Sequence, residues 1–90
     1  MTTRKEEGIA ITMKGFPYLV FDGKNFEKVV AFCSPHKVRK TKKFNTTKKV
    51  AIDFPTGNRS IQPNEILVKV TEGEYLILSR TVFDFLFFDA

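Results

Sequence analysis

Residues 61–88 constrain this chain more than any other stretch. Residues 66–70 read as a strand, Thr71-Glu72-Gly73-Glu74 as a turn, and residues 75–78 as a second strand. Ser79 then stands as an N-cap before an apolar segment spaced like a helix, residues 80–88. A strand, tight turn, strand and helix within 28 residues imply antiparallel pairing with a helix packed beside it.

The rest of the chain extends that pattern. Residues 9–21 are apolar, β-branched or aromatic, but Gly15 and Pro17 interrupt them, which fits two short strands or one strand with a bulge. Asp22-Gly23 marks a turn, and Asn25 is placed to cap a helix over 25–33 with Phe26, Val29, Val30 and Cys33 as its apolar stripe. Ser34-Pro35 ends that helix, because the residue before proline is pushed out of the α region. Residues 36–44 then read as an extended strand and Asn45-Thr46-Thr47 as a loop. Residues 49–54 and 59–61 flank a hairpin turn at Pro55-Thr56-Gly57-Asn58. The expected fold is α+β: a small single domain over 9–90, an antiparallel sheet of about five strands and two short helices, after a flexible N-terminus of residues 1–8.

Ninety residues suit one domain, and ten phenylalanines allow a core without metal or disulfide support. The single cysteine, Cys33, leaves no intramolecular disulfide and points to a reducing compartment. No run reaches the ~20 apolar residues of a membrane span, and residues 1–8 are too polar for a signal peptide. A cytoplasmic protein that does not enter a membrane is expected.

The net charge of +5 is concentrated. Residues 36–49 hold Lys37, Arg39, Lys40, Lys42, Lys43, Lys48 and Lys49 with no acid, so the remainder of the chain sums to −2. Such a segment suits phosphate or an acidic partner surface, although edge strands also use lysine to block unwanted pairing. The C-terminal helix carries the second anomaly. Val82, Phe83, Leu86 and Phe87 suffice for a core-facing stripe, which leaves Phe85 and Phe88 as candidates for an oligomer or partner interface, with a homodimer the simplest form.

Catalytic chemistry is sparsely provided. Cys33 and His36 read as a buried helix cysteine and a surface histidine, since structural zinc wants about four ligands. The five glycines are isolated, without a phosphate-cradling loop, and Glu72 and Glu74 flank Gly73 as solvated turn residues. No enzyme activity, cofactor or metal is expected.

Phe21-Asp22-Gly23-Lys24-Asn25 before a helix containing Phe26 and Phe32, followed by Pro63-Asn64-Glu65-Ile66, Gly73-Glu74-Tyr75 and Phe83, resembles the small phage and prophage proteins that carry a Pro-Gly-Asp-Tyr-type motif. The resemblance covers roughly residues 18–88. It departs from the family at Asn64-Glu65-Ile66, which stand for Gly-Asp-Tyr, in the basic segment, and in the aromatic end of the last helix. It implies the fold and a phage origin, and carries no general activity. The expectation is therefore a non-catalytic phage protein in the cytoplasm of an infected bacterium: a host-takeover or anti-defence factor that inhibits a host protein by contact. The alternative is a nucleic-acid or nucleotide-binding module using residues 36–49. A virion or scaffold component is the third option.

Overall fold

Alternation of apolar and polar residues decides which strand faces are buried. In the computed structural model, which describes residues 6–11 and 14–87, Val50, Ile52 and Phe54 of β3 (Val50–Phe54) point into the core while Ala51 and Asp53 face outward. β3 is the centre of a three-stranded antiparallel sheet, between β2 (Lys37–Lys40) and β4 (Gly57–Ile61). Pro55 and Thr56 alone separate β3 from β4, and Phe54 pairs with Gly57.

The second sheet is also antiparallel, in the order β1 (Tyr18–Val20), β5 (Ile66–Lys69), β6 (Tyr75–Leu78). Its central strand is buried on both faces, as its uninterrupted Ile66-Leu67-Val68 suggests. Leu19, Leu67, Ile77 and Tyr75 turn toward the first sheet and share one apolar cluster with Val50, Ile52, Phe54 and Ile61. Helix α1 (Phe26–Cys33) contributes Val29 and Cys33 to that cluster. On the other face Ile66 and Val68 pack against Phe83 of α3 (Arg80–Leu86), with Val20, Leu78 and Phe87 around them.

The α+β class matches the sequence reading, but among the described residues six strands in two sheets replace one sheet of about five. Both helices expected from sequence are present, slightly shorter, as Phe26–Cys33 and Arg80–Leu86. A third, α2 (Phe44–Thr47), replaces the end of the expected 36–44 strand and the loop at 45–47. The Thr47 hydroxyl donates to the Lys43 carbonyl at 2.9 Å, and Lys48 ends the turn at φ 57°, donating its N–H to the Phe44 carbonyl at 2.7 Å. Of the apolar segment 9–21, Tyr18–Val20 form a strand; Ile9 and Ile11 stand exposed, and residues 12 and 13 lie outside the described residues. Apolar, β-branched sequence makes a strand only where a neighbour accepts its ladder. Of the expected flexible N-terminus, residues 1–5 also lie outside the described residues, while 6–8 are exposed.

Two caps differ in kind. Asn25 precedes α1, yet its side chain does not cap the helix. Its Nδ2 donates to the Val20 carbonyl at 2.8 Å, and its Oδ1 accepts from the Asp22 N–H at 3.0 Å, so it fastens the turn to β1. Ser79 does cap α3, its Oγ accepting from the Val82 N–H at 3.2 Å. Ser79→Ala should lower stability by about 1 kcal/mol, or roughly 4–8 °C in Tm, as read by thermal circular dichroism. An unchanged Tm would mean that Phe83 packing alone holds the helix.

Candidate basic-aromatic interface

The basic segment does not form one uniform arm. Along β2, Val38 faces the core opposite Ile52, so Lys37 and Arg39 project from the outer face. There Arg39 Nη2 meets Asp53 Oδ1 at 3.3 Å, which takes one positive charge out of the patch. Lys42 and Lys43 are exposed in the turn before α2, and Lys49 is half-buried at the start of the return toward β3.

Lys40 and Lys48 go elsewhere. Lys40 Nζ sits 4.8 Å from the centroid of Phe44 and 5.1 Å from that of Phe26. Lys48 Nζ sits 5.2 Å from the same Phe44 ring. Phe26 and Phe44 meet edge to face at 6.3 Å. The negative face of each ring attracts an ammonium, by about 0.5–1 kcal/mol at exposed sites, so the rings hold two cations near one spot. The left-handed conformation of Lys48 contributes to this placement, because it turns the side chain back over α2.

Lysines from a different part of the chain complete the site. Lys24, Asn25, Phe26, Glu27 and Lys28 line an open concavity of about 430 Å³ together with Lys40. The 22–25 turn is held there by Asp22 Oδ1, which accepts from the backbone N–H groups of Lys24 at 2.7 Å and Asn25 at 2.9 Å. Gly23 has φ +86°, a conformation that glycine adopts without strain, and a Cβ there would lie 3.3 Å from Pro63 Cγ and 3.5 Å from Lys48 Cβ. The turn thus seats against the Lys48 stem. Lys24, Lys28, Lys40 and Lys48 have no ion pair among the described residues. Glu27 is the one acid among the lining residues, so with Lys24, Lys28 and Lys40 the concavity sums to +2, and Lys48 stands beside it at the Phe44 ring.

Sequence reasoning found Lys40 and Lys48 but missed Lys24, Lys28 and the paired rings. Lys24 and Lys28 stand before and within a helix of mixed charge, and nothing local marks them. Of the residues read as one arm, Lys40 lines this concavity and Lys48 stands beside it, while Lys37, Arg39, Lys42, Lys43 and Lys49 are not brought onto it.

The other two groups of interest lie apart from it. Cys33 is fully buried, and burial pushes its thiol up to about 11 from 9.0, against the opposing pull of the Lys69 ammonium. His36 is not the surface histidine expected. It is half-buried, edge-on to Phe54 at 5.8 Å and Tyr75 at 5.9 Å, and its Nε2–H donates to the Glu72 carbonyl at 2.6 Å. Tyr75 in turn donates its hydroxyl to the Phe32 carbonyl at 3.1 Å, and burial raises its pKa, with Lys69 opposing. These contacts tie α1, the 70–75 turn and β3 together as structure. Among the described residues no three His, Cys, Asp or Glu side chains gather as a metal set.

The thiol makes a pH prediction. The folded chain keeps its thiol proton where the unfolded chain has lost it, so stability falls as pH rises from about 9 toward 11. Cys33 should account for about 2 kcal/mol of that fall. The stability difference between wild type and Cys33→Ala in urea should shrink by this amount between pH 8 and 11; a constant difference would contradict it.

On the C-terminal helix the expected core stripe is only partly realised. Phe83 is buried and Phe87 half-buried, but Val82 and Leu86 are exposed. Phe85 is 89% exposed, and so does not close over the sheet. Phe88 lies outside the described residues. Among the described residues no helix is long and apolar enough to cross a membrane.

Compared with known proteins, the chain matches no protein-family model, no curated protein and no solved structure.

Proposed function

We propose that this protein is a non-catalytic binding module whose basic-aromatic concavity engages the phosphate backbone of a nucleic acid. The observation that carries this reading is the convergence of Lys40 and Lys48 on the Phe44 ring beside Lys24 and Lys28. Lysine ammoniums neutralise phosphates without reading base sequence, and release of condensed counterions drives the association. Ring-held ammoniums have less conformational freedom to lose on binding than free lysine side chains. The ring faces are engaged by these ammoniums, which favours backbone contact over base stacking.

A second reading places an acidic surface of a bacterial host protein on the same concavity, with the chain acting as a phage host-takeover or anti-defence inhibitor. Glu27 among the lysines favours it, since a carboxylate repels phosphate but suits a mixed-charge protein rim. The resemblance of residues 18–88 to small phage proteins supports the biological setting, the cytoplasm of an infected cell.

A pulldown of the tagged chain from bacterial lysate, with and without nuclease, separates the two. Nuclease-sensitive material absorbing at 260 nm, with no specific protein, supports the nucleic-acid module. One dominant host protein that survives nuclease supports the inhibitor and overturns the first reading.

A further inference from the structure

Among the described residues four strands lie at sheet edges, and three of them carry features that discourage further pairing. β2 presents Lys37, Arg39 and Lys40; β4 contains Arg59 and Gly57; β1 has three residues and follows Pro17. β6, Tyr75-Leu76-Ile77-Leu78, has no charge, proline or glycine. Short uncharged β-prone edges are templates for another strand.

The hydrogen-bond parity of the sheet shows what that edge offers. Phe21 N–H donates to the Glu65 carbonyl and Lys69 N–H to the Pro17 carbonyl, so odd-numbered residues of β5 bond toward β1. Even-numbered residues therefore bond toward β6, consistent with the Val70 N–H donating to the Glu74 carbonyl at 2.9 Å. Leu76 and Leu78 thus spend their backbone groups on β5, while the N–H and C=O of Tyr75 and Ile77 point away from the sheet.

We infer that β6 pairs with β6 of a second copy of this chain, antiparallel about a twofold axis at Leu76. Tyr75 of each copy then exchanges backbone hydrogen bonds with Ile77 of the other, four bonds in all, and the two sheets continue as one of six strands. A strand edge is self-complementary under a twofold, and β6 brings no like charges into contact. The side chains agree with this. Leu76 is 41% exposed although it lies on the face that α3 covers, as its pairing with Val68 shows. In the dimer Leu76 faces its own copy. The two α3 helices then lie on the same face of the joined sheet, where Val82, Phe85 and Leu86 offer apolar surface for contact. One occupant thereby accounts for both the open edge and the exposed helix.

The test is analytical ultracentrifugation between 1 and 200 μM, with hydrogen exchange at both limits. A species of twice the 10.3 kDa chain mass is expected, with the Tyr75 and Ile77 amides at least tenfold slower to exchange at the high concentration. Leu76→Lys should yield monomer, because the twofold sets the two lysines against each other. If that variant does not fold, Phe85→Glu, on an exposed helix position, should still weaken association at least tenfold. Wild-type monomer at 200 μM overturns the inference. So does a dimer that survives a folded Leu76→Lys variant, or one whose Tyr75 and Ile77 amides gain no protection.

Discussion

Raising salt from 50 to 200 mM should weaken binding to a single-stranded oligonucleotide about 50-fold, and to a duplex about 150-fold. These values follow if Lys24, Lys28, Lys40 and Lys48 each neutralise one phosphate, for log–log slopes of roughly −2.8 and −3.6. Removing Lys40 and Lys48 together, as Lys40→Gln and Lys48→Gln, should halve both slopes. The same change made at Lys37 and Arg39 should do less, because those side chains stand on the outer face and Arg39 is paired with Asp53. Fluorescence anisotropy with labelled strands at four salt concentrations reads all of these. Equal losses from the two double variants would mean that diffuse charge, rather than the concavity, attracts the ligand. A slope near zero would remove the nucleic-acid reading and leave the acidic protein surface. Phe44→Leu offers a finer check: it keeps an apolar floor but loses the ring that both ammoniums approach.

Phe21→Ala should be the most damaging single change to the fold, lowering stability by about 3–5 kcal/mol. The ring is fully buried in the cluster shared by both sheets and α1. Its backbone is also at a junction: its carbonyl accepts from the Asn64 N–H at 2.6 Å, and its N–H donates to the Glu65 carbonyl at 3.0 Å. Alanine preserves those backbone bonds but leaves a ring-sized void between β1, the 22–25 turn and the approach to β5. For a domain of this size the loss corresponds to a Tm drop on the order of 20 °C. Urea unfolding at constant slope measures it. A loss below about 1 kcal/mol would mean that neighbouring side chains collapse into the space. Phe85→Ala, at a position 89% exposed, should leave the stability of the monomer almost unchanged.

The elements most legible in the chain are those whose cause is local. The β5–β6 hairpin follows from an apolar run, a Gly-Glu turn and a second apolar run. α3 follows from Ser79 at its cap, and the 50–54 strand from strict alternation. The buried position of Cys33 follows from its place on an amphipathic stripe. Where local signals competed, tertiary contact decided. Ile9 and Ile11 have strand-like chemistry but no partner strand among the described residues, whereas Tyr18–Val20 gain one in β5. His36 looks solvated beside lysines, yet the fold brings Phe54, Tyr75 and the Glu72 carbonyl around it.

The candidate site divides along the same line. The concentration of positive charge in residues 36–49, the lack of an intramolecular disulfide and the α+β class were determined by the sequence itself, because composition and short-range periodicity act without distant partners. Which cations act together was decided only by the tertiary structure. Strand alternation puts Arg39 on the outer face and Lys40 on the opposite one beside Phe26, the left-handed turn at Lys48 directs a second ammonium to Phe44, and Gly23 allows the 22–25 turn to bring Lys24 alongside. An electrostatic site depends on distances of a few ångströms between residues far apart in the chain, and those distances exist only once the sheets and α1 have packed.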